Sequence, residues 1–585
     1  MSQLDIENQK AFGPPDETGI VTVQSNEYSV DAHSEKSSFL EEEPLALEEG
    51  HRLHKDLKPR QITMIAIGGA LGTGLLIGTT SALANAGPAS VLIAYSLVGS
   101  VVFFTMAALG EMSSFIPLPE GFSGYAKRYC DDALGFAVGI SYLCKYLIVA
   151  PNQLVAGALV MQYWVSPEKV NPGVWVAIIL VLVIIINTLG VGFFGEVEFY
   201  LSSLKVITIL ALIVLLFCIM LGGDPSGDRI GFRYWKDPGA FAPYEGVEPQ
   251  SLAKFVAFLS VLVTAVFAYL GTELVGITFG EAKNPRYTIK KAIKLTLIRI
   301  IVFYIFSVFL LGCCVAYNDP ALLAAKKATV SNAAASAFVV AINNAKISGL
   351  PDVMNACILI FIISATNSDL YIATRNAYGL SANGMFPKVL SRTNSKGVPI
   401  FALGFASLFC CLAFMVCSSS SQKVFNYFVN VVSIFGLLTW ISILVTFLYF
   451  MKAVKAQGYD RNKDFVYKAP FQPYGTYIAL TACVFISLIK NFTVFIGHGP
   501  FDYQTFITGY IGIPVYLICL VAYKVIKKTK TVLPEEADLV TYKAPIDAEQ
   551  LEYEEMMAEK AARRKEQGKG KDLEWWYDHT LGYMF

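Results

Sequence analysis

The chain has 585 residues, of which 55% are hydrophobic and only 16% are charged. A soluble domain carries about 25% charged residues, so this composition is typical of a protein with many membrane spans. The formal net charge is zero, which gives no electrostatic reason to expect nucleic acid as a partner. No catalytic triad, metal-binding set or cofactor motif has suitable spacing, and no two CxxC motifs pair. We therefore predict a membrane protein that is not an enzyme and holds no cofactor.

Residues 1–50 are rich in Asp, Glu and Ser and contain no apolar segment. This composition predicts a disordered tail and argues against a cleavable signal peptide. A basic stretch, His51–Arg60, follows directly before the first apolar run. We expect residues 1–50 to form a cytoplasmic tail, with the first span acting as the targeting signal.

Twelve apolar runs follow, each about 20 residues or longer, which is long enough for a helix to cross the hydrocarbon core. They lie near residues 62–86, 88–114, 133–163, 173–191, 195–222, 254–280, 294–318, 349–377, 398–417, 423–451, 475–497 and 503–526. We predict an all-α integral membrane protein with twelve transmembrane helices in a transporter domain over residues 51–530. A charged tail over residues 531–585 completes the chain.

Basic residues favour one orientation of these spans. If the N-terminus is cytoplasmic, the inner loops carry most of them: Lys127, Arg128, Lys283, Arg286, Lys290, Lys291, Lys388, Arg392, Lys396, Lys452, Lys455, Arg461, Lys463 and Lys468. This distribution follows the positive-inside rule, and an even number of spans places both termini in the cytoplasm. For the tail beyond 531 we keep two hypotheses. It is either a solvated helix, or a functional segment that packs on the cytoplasmic face or is recognised by trafficking and ubiquitin-dependent turnover machinery.

The first and sixth runs are interrupted by the same pattern, Leu-Gly-Thr-x-Leu, at Leu71–Leu75 and at Leu270–Leu274. Glycine costs about 1 kcal/mol in a helix relative to alanine, so the glycine-rich first run is a poor continuous helix. Irregular backbone at membrane depth is tolerated only where it is buried in protein or lines a cavity. A matched pair of interrupted spans in two halves of a membrane protein indicates the substrate site of a transporter.

The two interruptions offer opposite chemistry. The helix that restarts after Gly72, Thr73 and Gly74 presents free N–H groups and the positive end of its dipole, which suits an α-carboxylate. Unwound carbonyls in the sixth run can accept hydrogen bonds from an ammonium group, and Phe267 can cover the substrate. For the first run alone, a close-packing face of small residues is the alternative.

Ionisable side chains inside predicted spans are functional by default, because an unpaired charge at membrane depth is costly. Glu273, in the sixth span, either carries a proton or ties the interruption together. Lys205, in the fifth span, either gains and loses a proton during transport or extends to the cytoplasmic interface. Lys145, in the third span, pairs either with Asp369 of the eighth span or with an acidic substrate.

Polar side chains accompany these charges. Asn152 and Gln153 follow Lys145 by seven and eight residues, within about 80° of the same helix face at about 100° per residue. Asn367 precedes Asp369 by two residues in a span dense in polar side chains. We predict that all five line the substrate cavity.

These residues resemble the signatures of the fungal amino-acid permeases of the amino acid–polyamine–organocation superfamily. The resemblance rests on Ile67–Leu75, Ser203–Val206, Gly271–Leu274 and Glu281–Arg286. Within that family the chain is most similar to the dicarboxylic permeases that take up glutamate and aspartate, through Tyr142–Tyr146, Pro151–Leu154, Asn367–Tyr371, Phe425–Asn430 and the tail Glu574–Phe585.

The resemblance implies proton symport at the plasma membrane by a LeuT-like fold with five-plus-five inverted repeats. Repeat one then spans about 62–222, repeat two about 254–451, and two extra helices about 475–526. It also implies that Thr73 and Gly74 hold the α-carboxylate, and that carbonyls near Phe267, Ala268 and Leu270 hold the α-amino group.

One departure from the family pattern bears on the substrate. Permeases for cationic and neutral amino acids usually carry Glu where this chain has Gln153, and a small or polar residue in place of Lys145. Losing an anion and gaining a cation in one helix suits L-glutamate or L-aspartate. A broad permease for neutral amino acids and an amino-acid sensor with little transport remain alternatives.

Overall fold

The computed structural model describes residues 64, 71–118, 121–274, 276, 285–327, 336–496 and 501–566. The chain divides into two units, Met1–Ala46 and Leu47–Phe585, and the first lies outside the described residues. The predicted N-terminal tail, the basic stretch, Ile67–Ala70, most of Glu281–Arg286 and the aromatic end of the C-terminal tail also lie outside them.

All regular structure in the described ranges is helical. The α-helices of the first half are α1 (Thr79–Phe115), α2 (Gly121–Tyr129), α3 (Asp132–Met161), α4 (Pro172–Thr188), α5 (Val191–Met220) and α6 (Gln250–Tyr269). Those of the second half are α7 (Pro285–Arg299), α8 (Ser307–Cys314), α9 (Pro320–Lys327), α10 (Ala337–Asn344), α11 (Leu350–Ala382), α12 (Ile400–Cys410) and α13 (Ser421–Ala456). The last are α14 (Tyr474–Ile489), α15 (Tyr503–Tyr510), α16 (Gly512–Lys527) and α17 (Lys543–Glu566).

Shorter helical turns join these helices. The π-helical turns are Gly74–Gly78, Trp235–Gly239 and Ile300–Phe306, and the 3-10 turns are Lys388–Ser391, Cys411–Cys417 and Phe492–Phe495. Gly74–Gly78 runs into α1, and Ile300–Phe306 joins α7 to α8. Ten of the resulting helices in the described ranges are long and apolar enough to cross a membrane, and α4 is a shorter apolar helix.

The longest of these candidates, Gly74–Phe115, contains a sharp bend. Its 42 residues would span about 63 Å if straight, about twice the hydrocarbon thickness of a bilayer. Gly87 interrupts it with φ of 79°, and Pro88 follows. Backbone hydrogen bonds hold the segment Ala240–Ala242 against the bend: the Ala89 nitrogen donates to the Ala240 oxygen, and the Ala242 nitrogen donates to the Ala86 oxygen. A Cβ on Gly87 would lie only 2.8 Å from the Ala242 nitrogen. The bend falls where the sequence predicts the boundary between its first two spans.

The predicted interruption of the sixth span is confirmed. α6 ends at Tyr269, Leu270 is extended, and Gly271 has φ of 94°, a left-handed conformation that favours glycine. In the first span, Leu71 and Gly72 are outside the helix, and the π-helical turn starts at Gly74. Both segments therefore contain backbone that is outside regular helix.

The start of the C-terminal tail packs on the transporter. The nitrogen of Val532 donates to the Cys130 oxygen at 2.7 Å, and the Leu539 side chain is completely buried. Arg286 forms an ion pair with Asp547 of α17 at 2.6 Å. Of the two hypotheses for this tail, packing against the transporter is therefore confirmed for residues 532–547.

Candidate functional site

The two interrupted spans meet through their backbones. A Cβ on Gly74 would lie 2.5 Å from the Cα of Ala268 and 3.0 Å from the Phe267 oxygen. Cβ atoms essentially never approach backbone this closely, so only glycine allows the contact. The N-terminal end of the helical turn that starts at Gly74 and the C-terminal end of α6 are thereby brought to one place.

A cavity lies at this junction, and nine of the eleven predicted substrate-binding residues line it. These nine are Gly72, Thr73, Gly74, Lys145, Gln153, Phe267, Ala268, Leu270 and Asp369. Tyr146, Val149 and Gly271 also line the cavity, although the sequence analysis did not select them. A signal for Val149 was present, because it lies four residues after Lys145 on the same helix face.

A chain of hydrogen bonds connects three helices across the cavity. The Thr73 hydroxyl donates to Oε1 of Gln153 at 2.8 Å, and Nε2 of Gln153 donates to Oδ2 of Asp369 at 3.2 Å. Because an amide has both a donor and an acceptor, Gln153 can bridge a hydroxyl donor and a carboxylate in this way. The arrangement holds the first interruption, α3 and α11 in one network.

Lys145 pairs with Glu273 and not with Asp369, which was one of the two expected partners, and its pairing with an acidic substrate stays a prediction. Both side chains are 1% exposed, and Nζ of Lys145 donates to Oε1 of Glu273. The same carboxylate accepts from the Gly271 nitrogen at 3.3 Å and from Nε1 of Trp440 at 3.3 Å. Glu273 thus ties the sixth-span interruption to α3 and α13, as one of its two predicted roles requires.

Aromatic rings complete the surroundings of Lys145 and of the sixth-span interruption. Nζ of Lys145 lies 5.2 Å from the Tyr142 ring centroid and 4.7 Å from that of Tyr146, which is cation–π distance. The ring of Phe267 meets Phe425 of α13 edge-on, with centroids 6.0 Å apart. Phe267 therefore lies at the cavity wall, where the predicted covering role places it.

Two predicted residues do not line the cavity. Asn152 is buried, and neither of its amide atoms has a hydrogen-bond partner among the described residues. It does not line the cavity, whereas Lys145, two turns earlier on the same helix, does. Asn367 instead accepts from Nδ2 of Asn187 at 2.9 Å, which turns it toward α4.

Lys205 lies outside the cavity and is completely buried, so it does not extend to a membrane interface. Its Nζ is 3.6 Å from Oε1 of Glu198, two helical turns earlier on α5. Glu198 was not among the predicted residues, although an acidic residue seven positions before a lysine is on the same helix face. The role of Lys205 in proton coupling stays a prediction.

The chain was compared with known proteins. The sequence model of the amino acid permease family matches residues 61–533. The dicarboxylic amino acid permease of Saccharomyces cerevisiae is 57% identical, over 93% of this chain and 88% of its own length. The general amino-acid permease of the same yeast is 37% identical, over 86% of this chain and 82% of its own.

A solved structure of a manganese transporter mutant from Eremococcus coleocola shares the fold, at a TM-score of 0.51 and 14% sequence identity. It covers 80% of this chain and 94% of the transporter's own chain. The family match spans most of the transporter domain and both interruptions, and the relatives are permeases rather than enzymes. The chain belongs to the amino acid permease family, whose members transport amino acids across membranes.

Proposed function

We propose that the chain imports L-glutamate and L-aspartate across the plasma membrane by proton symport. The observation that carries the proposal is the position of Lys145, a cationic side chain at the wall of a cavity between two interrupted helices. Gln153, on the same helix, adds no negative charge to this cavity. The similarity to a permease named for dicarboxylic amino acids supports the same substrate class.

The geometry suggests how such a substrate is held. Its α-carboxylate accepts hydrogen bonds from the N–H groups around Thr73 and Gly74, where the helix dipole is positive. Its α-amino group donates to carbonyls of Phe267, Ala268 and Leu270. The second carboxylate then approaches Lys145, which turns from Glu273 or shares its protons between the two anions.

Charge balance supports proton coupling. Glutamate and aspartate carry one net negative charge, so the membrane potential drives uptake only when more than one proton enters with each substrate. We propose Glu273 and Lys205 as proton-coupling groups, with the proton gradient as the driving force and no cofactor. For the membrane arrangement we propose twelve crossings as two inverted repeats of five plus two extra helices, with both termini cytoplasmic and open to ubiquitin-dependent turnover machinery.

The direct test is uptake of labelled glutamate into proteoliposomes, with every common amino acid as competitor at two external pH values. We expect aspartate to compete most strongly, and an uncoupler to abolish accumulation. Uptake that aspartate leaves unaffected, or that survives the uncoupler, would contradict the proposal. No uptake of any amino acid by a correctly inserted protein would instead favour a sensor.

Lys145→Met tests the residue that carries the proposal. A hydrogen bond to a charged group is worth about 1.5–3 kcal/mol, so we expect glutamate affinity to fall about 10- to 100-fold. Lys490→Met is the matched control, because Lys490 is another fully buried lysine, whose Nζ lies 3.4 Å from Asn430 rather than at the cavity. Equal loss in both variants would mean that burial, and not substrate contact, explains the effect.

Lys145→Met leaves Glu273 buried without its partner, which typically costs about 3–5 kcal/mol. The double variant Lys145→Met with Glu273→Gln removes both charges and avoids that penalty. We expect it to insert normally, to bind glutamate poorly and to accept neutral amino acids. Unchanged glutamate affinity in the double variant would exclude Lys145 from substrate recognition.

A permease for neutral amino acids is the second candidate, and the Lys145–Glu273 pair favours it. If Lys145 stays paired with Glu273 throughout transport, its charge is neutralised and does not attract an acidic side chain. The cavity would then bind only the α-carboxylate and α-amino groups of the substrate. Strong competition by neutral amino acids, together with weak competition by aspartate, would support this candidate over the first.

A further inference from the structure

Glu198 is a buried carboxylate whose two oxygens have different surroundings. Oε1 accepts from the Ser202 hydroxyl at 2.9 Å and from the Ser364 hydroxyl at 2.6 Å, and it lies 3.6 Å from Nζ of Lys205. Oε2 is buried and has no hydrogen-bond partner among the described residues. The carboxylate is completely buried, so the bare oxygen has no bulk water to compensate for its charge.

The charged and titratable groups around Glu198 come from three helices. On α5 itself the neighbour is Lys205, and from α11 Asp369 interacts electrostatically with both members of the pair. Tyr371 of α11 stacks on Phe194, one turn before Glu198, and Arg375 lies over the Tyr371 ring. From α8, the Cys314 thiol donates to the Leu216 carbonyl of α5 at 3.3 Å, five helical turns beyond Glu198.

A proton on Oε2 would change this arrangement in one defined way. It would neutralise the carboxylate and leave the hydrogen bonds at Oε1 in place, because a carboxylic acid keeps an acceptor oxygen. Lys205 would lose its counter-charge and be attracted to the next negative group, Asp369. The pair is therefore a two-state element whose balance depends on one proton.

The same element is linked to the substrate cavity. Ser364, which donates to Glu198, and Asp369 lie on one helix, five residues apart. Asp369 accepts from Gln153, and Gln153 accepts from Thr73 at the first interruption. Hydrogen bonds and one helix thus connect Glu198 to Thr73, where we propose that the α-carboxylate binds. A change of charge on Glu198 can affect substrate binding through these contacts.

We propose that Glu198 binds a transported proton and that the Glu198–Lys205 pair couples this proton to the substrate. The inference rests on the proposed proton symport and adds to it a site that the sequence analysis missed. Entry of H⁺ forms an O–H bond at Oε2, and release to the other side breaks the same bond, with no other group consumed. Glu198 lies seven residues, about 10 Å, inside the end of α5 that we propose to be cytoplasmic.

Glu198→Gln is the test, because glutamine has the shape and acceptor oxygen of the protonated acid and cannot release a proton. In proteoliposomes we expect accumulation of glutamate driven by a pH gradient to fall about tenfold or more, while glutamate–glutamate exchange continues. Glu196→Gln is the matched control, since Glu196 is on the same helix and only half-buried. It should accumulate glutamate like the wild type.

Ser364→Ala provides a second test that keeps the carboxylate. Losing a hydrogen bond to the charged form favours the protonated form, so the external pH for half-maximal uptake should rise by about one unit. An unchanged pH profile with Ser364→Ala, together with pH-driven accumulation by Glu198→Gln, would overturn the inference. If Glu198→Gln lost glutamate exchange and glutamate accumulation equally, the inference would also be overturned, because Glu198 would then have only a structural role.

The wild type separates this inference from the proposed function. If the wild type accumulates glutamate in response to a pH gradient and Glu198→Gln does so equally well, only the role of Glu198 fails. If the wild type shows no such accumulation, the proposed symport fails and the inference fails with it.

Discussion

Gly74 and Ala268 touch backbone to backbone, although 194 positions separate them in the chain. The Cα of Ala268 lies 2.5 Å from where a Cβ on Gly74 would be. Behind this contact, Leu270 fills the space where a Cβ on Gly436 of α13 would lie, at 2.3 Å. The two interruptions can approach this closely because Gly74 and Gly436 have no side chain. One added methyl group at either glycine would therefore change their relative position.

Gly74→Ala should abolish transport without preventing membrane insertion. The added methyl group has to push against backbone, and overpacking of this kind costs about 1–3 kcal/mol, which separates the two halves of the cavity. We expect uptake to fall at least about tenfold. Measuring uptake beside surface abundance checks this prediction.

Gly404→Ala, in α12, is the control for that substitution. No atom lies within 4 Å of the position its Cβ would take, so transport should be unaffected. If Gly74→Ala transported as well as Gly404→Ala, the close contact between the interruptions would have no functional importance.

Gln153→Glu should select against acidic substrates. The new carboxylate would face Asp369, whose Oδ2 is now 3.2 Å from the Gln153 amide nitrogen, and would add negative charge beside the substrate. Like charges at this distance repel, so glutamate affinity should fall about tenfold or more while neutral amino acids compete better. Competition assays against labelled glutamate measure both effects.

Gln162→Glu is the control for Gln153→Glu. Gln162 caps the far end of the same helix and donates to the Ser421 hydroxyl at 2.9 Å, outside the cavity. Its substitution adds the same charge to α3 and should leave selectivity unchanged. Parallel changes in both variants would point to a general effect of charge on the helix.

Docking of the C-terminal tail should depend on pH only in acid. Partial burial alone would raise the pKa of Asp547. Hydrogen bonds from Lys543 and Arg286 have a larger effect in the opposite direction, so the pKa of Asp547 lies below its usual range. The stabilisation of the docked tail by the Asp547 carboxylate is therefore complete above about pH 4, which is the pKa of this group in the unfolded chain. It is lost as the pH falls through the lower pKa of the folded state. Hydrogen exchange of residues 532–550, corrected for intrinsic rates, should show protection at pH 7 and 5 and loss near pH 3.

Asp547→Asn tests the same contact at neutral pH. It removes the ion pair with Arg286, whose side chain also donates to the Ser114 and Phe115 carbonyls, and should speed exchange in the tail. Glu559→Gln is the control, since the ion pair that Glu559 forms within the described part of the chain is with exposed Arg563 of the same helix. Equal protection in both variants would contradict a role for Asp547 in docking.

Much of the site was predictable from residue types. Gly74, Thr73 and Leu270 were found because a repeated glycine-containing interruption is rare in a membrane span and has a physical cost. Glu198 was not predicted. Its spacing from Lys205 shows that the two share a helix face, but nothing in the sequence shows that this face turns inward to meet Ser364, 166 positions away. Asn152 was predicted to line the cavity and does not, although its spacing places it on nearly the same helix face as Lys145.

The sequence by itself determined the class of the protein. Long apolar runs have to form helices in lipid, where every backbone polar group needs an internal partner, and the matched interruptions identify where a substrate can bind. Only the tertiary structure decided which charges meet. Helix packing gave Lys145 the partner Glu273 rather than Asp369, whereas Lys205 pairs with Glu198 on its own helix. A Coulomb interaction weakens with distance, and Lys145 and Glu273 are 128 positions apart in the chain, so only folding brings them close enough to pair.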